Sequence, residues 1–176
     1  MRVGVVGAGY VGLVVAACLA EAGHQVVCVE RDPRRRSMLQ RREVPFFEPG
    51  LAELVVQVGD GLRVEAELAA AVQGSEVVVV AVGTSGPGGE SDDGALRTVW
   101  EEIKALAAPG LVVVLKSTVT PGTGDALAAE ASGLRVVSSP EFLVEGEALR
   151  SFREPDRVVI GRSEERRVGK ECRSRW

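Results

Sequence analysis

The opening MRVGVVGAGYVGLVVAACLAEAGHQVVCVE limits the possible folds more tightly than any other stretch of the chain. A short apolar run at residues 2–6 leads into Gly7-Ala8-Gly9-Tyr10-Val11-Gly12, a G-x-G-x-x-G hexad, and a helical stretch at 11–22 begins inside it. A second β-branched run, 25–30, ends on an acid, Glu30. Glycine-rich turns are common and the hexad alone is weak; a strand before it, a helix within it and an acid after it turn it into a dinucleotide fingerprint. Each glycine has a physical task. Gly7 permits the tight turn, Gly9 lets the backbone approach a pyrophosphate, and Gly12 lets the helix pack closely on the strand. The free N–H groups of the helix start, at Tyr10 and Val11, then favour the diphosphate anion.

Glu30 is placed to accept hydrogen bonds from an adenosine ribose, and its charge would repel a 2′-phosphate, which favours NAD over NADP. Arg31, Arg34, Arg35 and Arg36 pull the other way, because arginines near this point can accommodate NADP. Their plainer reading is the basic first turn of a solvated helix.

Beyond residue 30 the same alternation continues. Strands are expected at 2–6, 25–30, 76–82, 111–116, 134–138 and 157–160, and helices at 11–22, 32–41, 50–58, 66–72, 96–108 and 123–131. Near-continuous valine runs such as SEVVVVAV and GLVVVLKS suit strands covered on both faces. The expected fold is α/β: a Rossmann-like, doubly wound, mostly parallel sheet in a single domain. With 176 residues there is room for one such domain, and aromatics at 4% mean a core of Val, Leu and Ala. The loop SGPGGESDDG, residues 85–94, follows a strand end, where loops border the ligand crevice.

A formal charge of −4 gives no general attraction to nucleic acid or anionic membranes. No apolar run reaches bilayer length, and Gly7, Gly9 and Gly12 interrupt the N-terminal one without a cleavage site, so a cytoplasmic protein is expected. Cys18 lies in the helical stretch AACLAEAG and Cys28 in VVCVE, both as core residues. With one histidine, His24, neither a His-based metal site nor a Ser-His-Asp triad can be assembled, and no metal is expected.

Four further blocks join the first: FFEPGLAEL, VGTSGPGGESDDGAL, KSTVTPGTGD and SSPEFLVEGEALRSFREPDRVVIG. Together they closely resemble the UDP-glucose/GDP-mannose 6-dehydrogenase family over residues 1–161, and its UDP-glucose branch most. The resemblance implies an NAD-dependent enzyme that oxidises the C6 alcohol of a nucleotide sugar twice. The first hydride transfer gives an aldehyde; a cysteine thiolate attacks it, a second hydride leaves, and water hydrolyses the thioester. It implies UDP-glucose as substrate and a homo-oligomer for the full-length protein. GDP-mannose or a UDP-N-acetylhexosamine remains an alternative substrate, and a non-catalytic NAD-binding module is a reading of another class.

By the same resemblance, the hexad holds the pyrophosphate, Glu30 the ribose and Arg35 the adenosine end. Thr84 contacts the cofactor, and Thr118 joins a hydrogen-bonding network around active-site water. Glu141 assists hydrolysis, Glu145 lies near the nicotinamide, and Glu141, Phe142, Leu143, Val144 and Glu145 line the sugar nucleotide. Glu141 and Glu145 are also spaced like one helical turn, so both carboxylates are expected on one face. Three positions depart from the family: Ser85 where proline is usual, Ser139 for a frequent asparagine and Val144 for a frequent arginine. The family's catalytic lysine and asparagine sit on a later central helix and its nucleophilic cysteine further on; none is expected in this chain. Apolar periodicity ends near Gly161. Residues 162–176, RSEERRVGKECRSRW, resemble the translation of a sequencing-adapter DNA, so they are expected to be a disordered, non-native tail. Cys172 is then not the nucleophile.

Overall fold

A computed structural model describes residues 1–84, 92–131 and 133–162. Ser85 and Cys172, with most of the tail, lie outside the described residues. Seven strands form one sheet: β1 (Arg2–Val6), β2 (Gln25–Val29), β3 (Leu62–Glu65), β4 (Val77–Val80), β5 (Val112–Leu115), β6 (Arg135–Ser138) and β7 (Gly161–Arg162). Their order is β3-β2-β1-β4-β5-β6-β7, parallel except for β6–β7. The first six strands follow the doubly wound dinucleotide-fold order, which reverses between β1 and β4; a ligand crevice opens at that switch.

The helices are α1 (Tyr10–Glu21), α2 (Pro33–Gln40), α3 (Leu51–Gln57), α4 (Leu68–Val72), α5 (Gly94–Leu106), α6 (Thr123–Glu130) and α7 (Ala148–Arg153). Strand side chains divide by parity between two cores, as a period of two demands. Val3, Val5, Val79 and Val114 pack on the side of α1, α3 and α7. Val78, Val80, Val113 and Leu115 pack with α5 and α6. Helix α1 is buried without a break from Gly12 to Cys18, so small side chains in AAC are what its central position requires.

Several expectations shift. The strand LRVE (β3) was not anticipated; it has four residues, two of them charged, and only alternating burial marks it. Helix α7 was not anticipated either. The strand expected at 157–160 does not form, and pairing comes instead at Gly161–Arg162, against Ser138 and Val137. Val158, Val159 and Ile160 are exposed, with no covering layer among the described residues to make their apolar run a buried strand.

Gly4 lies within β1, and a Cβ there would stand 2.1 Å from the carbonyl oxygen of Ala71 in α4. The helix rests directly on the strand backbone, which cannot yield as a side chain could. Gly4→Ala should therefore destabilise the domain by about 3 kcal/mol, seen as a lowered urea midpoint with little change in slope.

Candidate functional site

Three structural features assemble the glycine loop. Gly7 takes φ +97°, the left-handed turn that brings the chain off β1. A Cβ on Gly12 would fall 1.8 Å from the Gly7 carbonyl oxygen, so only glycine allows α1 to start this close to the loop. A Cβ on Gly9 would meet no heavy atom within 4 Å. Gly9 is the N-cap of α1 and supplies no side-chain cap, leaving the first-turn N–H groups of Tyr10 and Val11 uncapped by side chains among the described residues.

Glu30 follows β2 with its side chain 12% exposed. One carboxylate oxygen accepts from the Asp32 amide at 2.9 Å, and the other lies 3.6 Å from Arg35 Nε. The Arg35 guanidinium also donates to the Ala8 carbonyl at 3.0 Å, linking the start of α2 to the glycine loop. Arg31 is engaged elsewhere: its guanidinium donates to both oxygens of Glu102 on α5, at 2.6 and 2.7 Å. Arg36 donates to the carbonyls of Glu30 and Arg31. Arg34 is exposed.

At the C-terminal ends of β4 and β5 two hydroxyls stitch the strands together. Thr84 Oγ1 donates to the Thr118 carbonyl at 2.6 Å, and Ser117 Oγ to the Val82 carbonyl at 2.7 Å. Thr118 itself is exposed, while Ser117 is buried. Sequence parity could have found this, because Ser117 shares the buried register of Val113 and Leu115, and Thr118 shares that of Val114 and Lys116.

The segment after β6 does not form the helical turn expected for Glu141 and Glu145. Residues 140–144 are irregular, and Gly146, at φ +85°, makes a turn before α7 begins. The two carboxylates therefore part. Glu141 is half-buried, with Oε2 3.2 Å from Lys116 Nζ at the end of β5, whereas Glu145 is exposed. Leu143 packs on the α1-side core, and Phe142 and Val144 are exposed at 52% and 57%. A groove of about 710 Å³ runs along this segment, lined among others by Lys116, Glu141, Phe142, Val144 and Arg157.

Glu48, from the FFEPG block, has no role in the sequence reading, yet it joins the two regions. It is 5% exposed and accepts three hydrogen bonds: from Tyr10 Oη at 2.5 Å, the Gly146 amide at 2.9 Å and the Ala148 amide at 2.8 Å. Burial works to raise its pKa, but the Tyr10 and backbone donors outweigh it and hold the carboxyl below its usual range. Burial and the Glu48 carboxylate push the Tyr10 phenol up to about 12. The isolated acid in FFEPG was the only sequence sign of this.

The sequence model of the UDP-glucose/GDP-mannose dehydrogenase family, NAD binding domain, matches residues 1–174. The chain belongs to that family. It is 45% identical to the UDP-glucose 6-dehydrogenase of Pseudomonas aeruginosa and 44% to that of Rhizobium meliloti, over 93% and 92% of its length. It spans only 39% of either relative. A UDP-glucose dehydrogenase structure from Pyrobaculum islandicum superposes with a TM-score of 0.82 at 35% identity, covering 93% of this chain and 41% of that one. A GDP-mannose dehydrogenase ternary complex from Pseudomonas aeruginosa gives 0.81 at 32%, covering 92% and 41%.

As the NAD-binding domain of this family, the chain has residues that fit the dinucleotide. The open side of Gly9 leaves space where a diphosphate can approach the backbone, and Arg35 Nε is buried without a hydrogen-bond partner. Among the described residues no helix is long and apolar enough to cross a membrane. In the same residues no group of His, Cys, Asp and Glu could hold a metal ion. Cys18 and Cys28 are buried, and burial raises their thiols to about 11 and about 12.

Tyr10 is the chain's sole tyrosine, so its titration can be read directly. With a folded pKa near 12 against an ordinary 10, the neutral phenol stabilises the fold fully below pH 10, and that contribution disappears as pH rises from 10 through 12. Near-ultraviolet tyrosinate absorbance should show a midpoint near 12 in the native chain, moving toward 10 in Glu48→Gln.

Proposed function

We propose that the chain is the cofactor-binding part of an enzyme that oxidises the C6 alcohol of UDP-glucose to the carboxylate in two NAD-dependent steps. The observation that carries the reading is the glycine loop facing open space at Gly9, with Glu30 held beside it by the Asp32 amide. The likeness to two UDP-glucose 6-dehydrogenases supports the choice of sugar nucleotide. NAD supplies the hydride acceptor when bound. The chain's own residues bind and orient it: the first-turn amides of Tyr10 and Val11 take the diphosphate, and Glu30 takes the ribose hydroxyls. Arg35 braces the glycine loop, and Thr84 and Thr118 border the crevice at the ends of β4 and β5.

Glu141 is the carboxylate for proton transfer near the hydrolytic water, and Lys116, 3.2 Å from its Oε2, orients it. Phe142, Leu143, Val144 and the exposed Glu145 form the wall toward the sugar nucleotide. The covalent step falls to residues outside the described part of this chain, since burial keeps Cys18 and Cys28 as protonated thiols. Residues 1–161 are the unit that carries this reading. A GDP-mannose substrate is the second reading, favoured by the likeness to the GDP-mannose dehydrogenase complex.

Calorimetric titration should show the chain binding NAD, and NADP at least about tenfold more weakly. Gly9→Ala should keep the fold within about 1 kcal/mol, as an N-cap change does, yet weaken NAD about tenfold or more. Equal affinity for both cofactors, or NAD binding unaffected by Gly9→Ala, would count against the assignment. With UDP-glucose and NAD, this chain should produce no NADH above an enzyme-free blank.

A further inference from the structure

Tyr10 serves two regions at once. Its peptide N–H belongs to the uncapped first turn of α1, and its phenol donates to Glu48. Its ring is held at the side by Phe46, with centroids 5.4 Å apart. Glu48 in turn grips the start of α7, accepting from the amides of Gly146 and Ala148, about a hundred residues away in sequence. Both carboxylate oxygens are used: one accepts from Ala148, the other from Tyr10 and Gly146.

A buried carboxylate costs desolvation, and an apolar side chain could have filled this space between α1, α3 and α7 without that cost. A carboxylate does what an apolar staple cannot: it ties the orientation of one phenol to the position of two amides. The Gly146 turn and the start of α7 are thereby referenced to the first turn of α1. The residues just before that turn, which include Glu141, Phe142 and Val144, line the groove.

We propose that Tyr10 and Glu48 are positioning residues that register the crevice segment 141–147 against the dinucleotide helix, so that a diphosphate bound at the first turn of α1 is felt at the Gly146 and Ala148 amides. This rests on the NAD-binding reading above. The diphosphate and the Glu48 carboxylate lie on either side of the same residue, one at its amide and one at its phenol. A shift of Tyr10 toward the bound anion moves or weakens the bond to Glu48. The partners sharing that carboxylate carry the change from the first turn of α1 to the start of α7, whereas the Arg153–Glu21 pair joins the far ends of the same two helices.

The test is an NMR titration of the isotope-labelled chain with NAD. Because Tyr10 is the sole tyrosine, its Cζ signal is single and assigned by composition. In the native chain the Tyr10 Cζ signal and the Gly146 and Ala148 amide signals should move together, with one apparent Kd. In Tyr10→Phe, compared at saturating NAD so that any change of affinity drops out, the shifts at Gly146 and Ala148 should fall about fivefold or more. Shifts of undiminished size in Tyr10→Phe would overturn the link. So would a native chain that binds NAD with those two amides unmoved, a result that needs no variant to fold. A native chain that binds no NAD at all would instead bring down the cofactor reading first, and this inference with it.

Discussion

The distance between the start of α1 and the glycine loop is the constraint on which the rest of the crevice depends. At Gly12 there is no room for even one added carbon against the Gly7 carbonyl. That contact sets where the first-turn amides stand, and therefore where an anion can be held. It also sets how deep α1 sits, which explains the unbroken burial from Gly12 to Cys18 and the small residues there. Helices α3 and α7 then pack on a helix whose position is already decided by backbone, not by side chains that could adjust.

Much of this was legible because it follows from periodicity and from glycine. The strand–glycine–helix–strand–acid pattern reads directly as a dinucleotide unit, and the valine runs at 77–80 and 112–115 suit strands covered on both faces, which holds for β4 while β5 buries Val112 and Val114 only in part. Features that depend on long-range partners were not legible. The edge strand LRVE has too little apolar character to stand out, and its identity comes from pairing with β2. The spacing of Glu141 and Glu145 suggests a helix, but the Gly146 turn and the pull of Glu48 on two amides decide the local path. Glu48 shows the limit plainly, since nothing local to FFEPG reveals a partner about a hundred residues later.

The same division applies to charge. From sequence, the four arginines after β2 form one basic cluster, in which only the family resemblance singles out Arg35. In the fold three of them have separate tasks: Arg35 braces the glycine loop, Arg36 donates to carbonyls at the β2 exit, and Arg31 crosses to α5. The exposed Arg31–Glu102 pair adds little stability on its own. Its effect is on direction, because it engages the guanidinium with α5 and not with Glu30.

That arrangement bears on how a cofactor preference of this kind could be re-engineered. Replacing Glu30 would remove repulsion toward a 2′-phosphate and leave Arg35, 3.6 Å from that carboxylate, without its ion pair, while Arg31 stays clamped on Glu102 and Arg36 on main-chain oxygens. Bringing in Arg31 as a second cation would require a further change, on α5, to free it from Glu102. A redesign confined to the β2 end would thus draw on Arg35 and leave Arg31 held by α5.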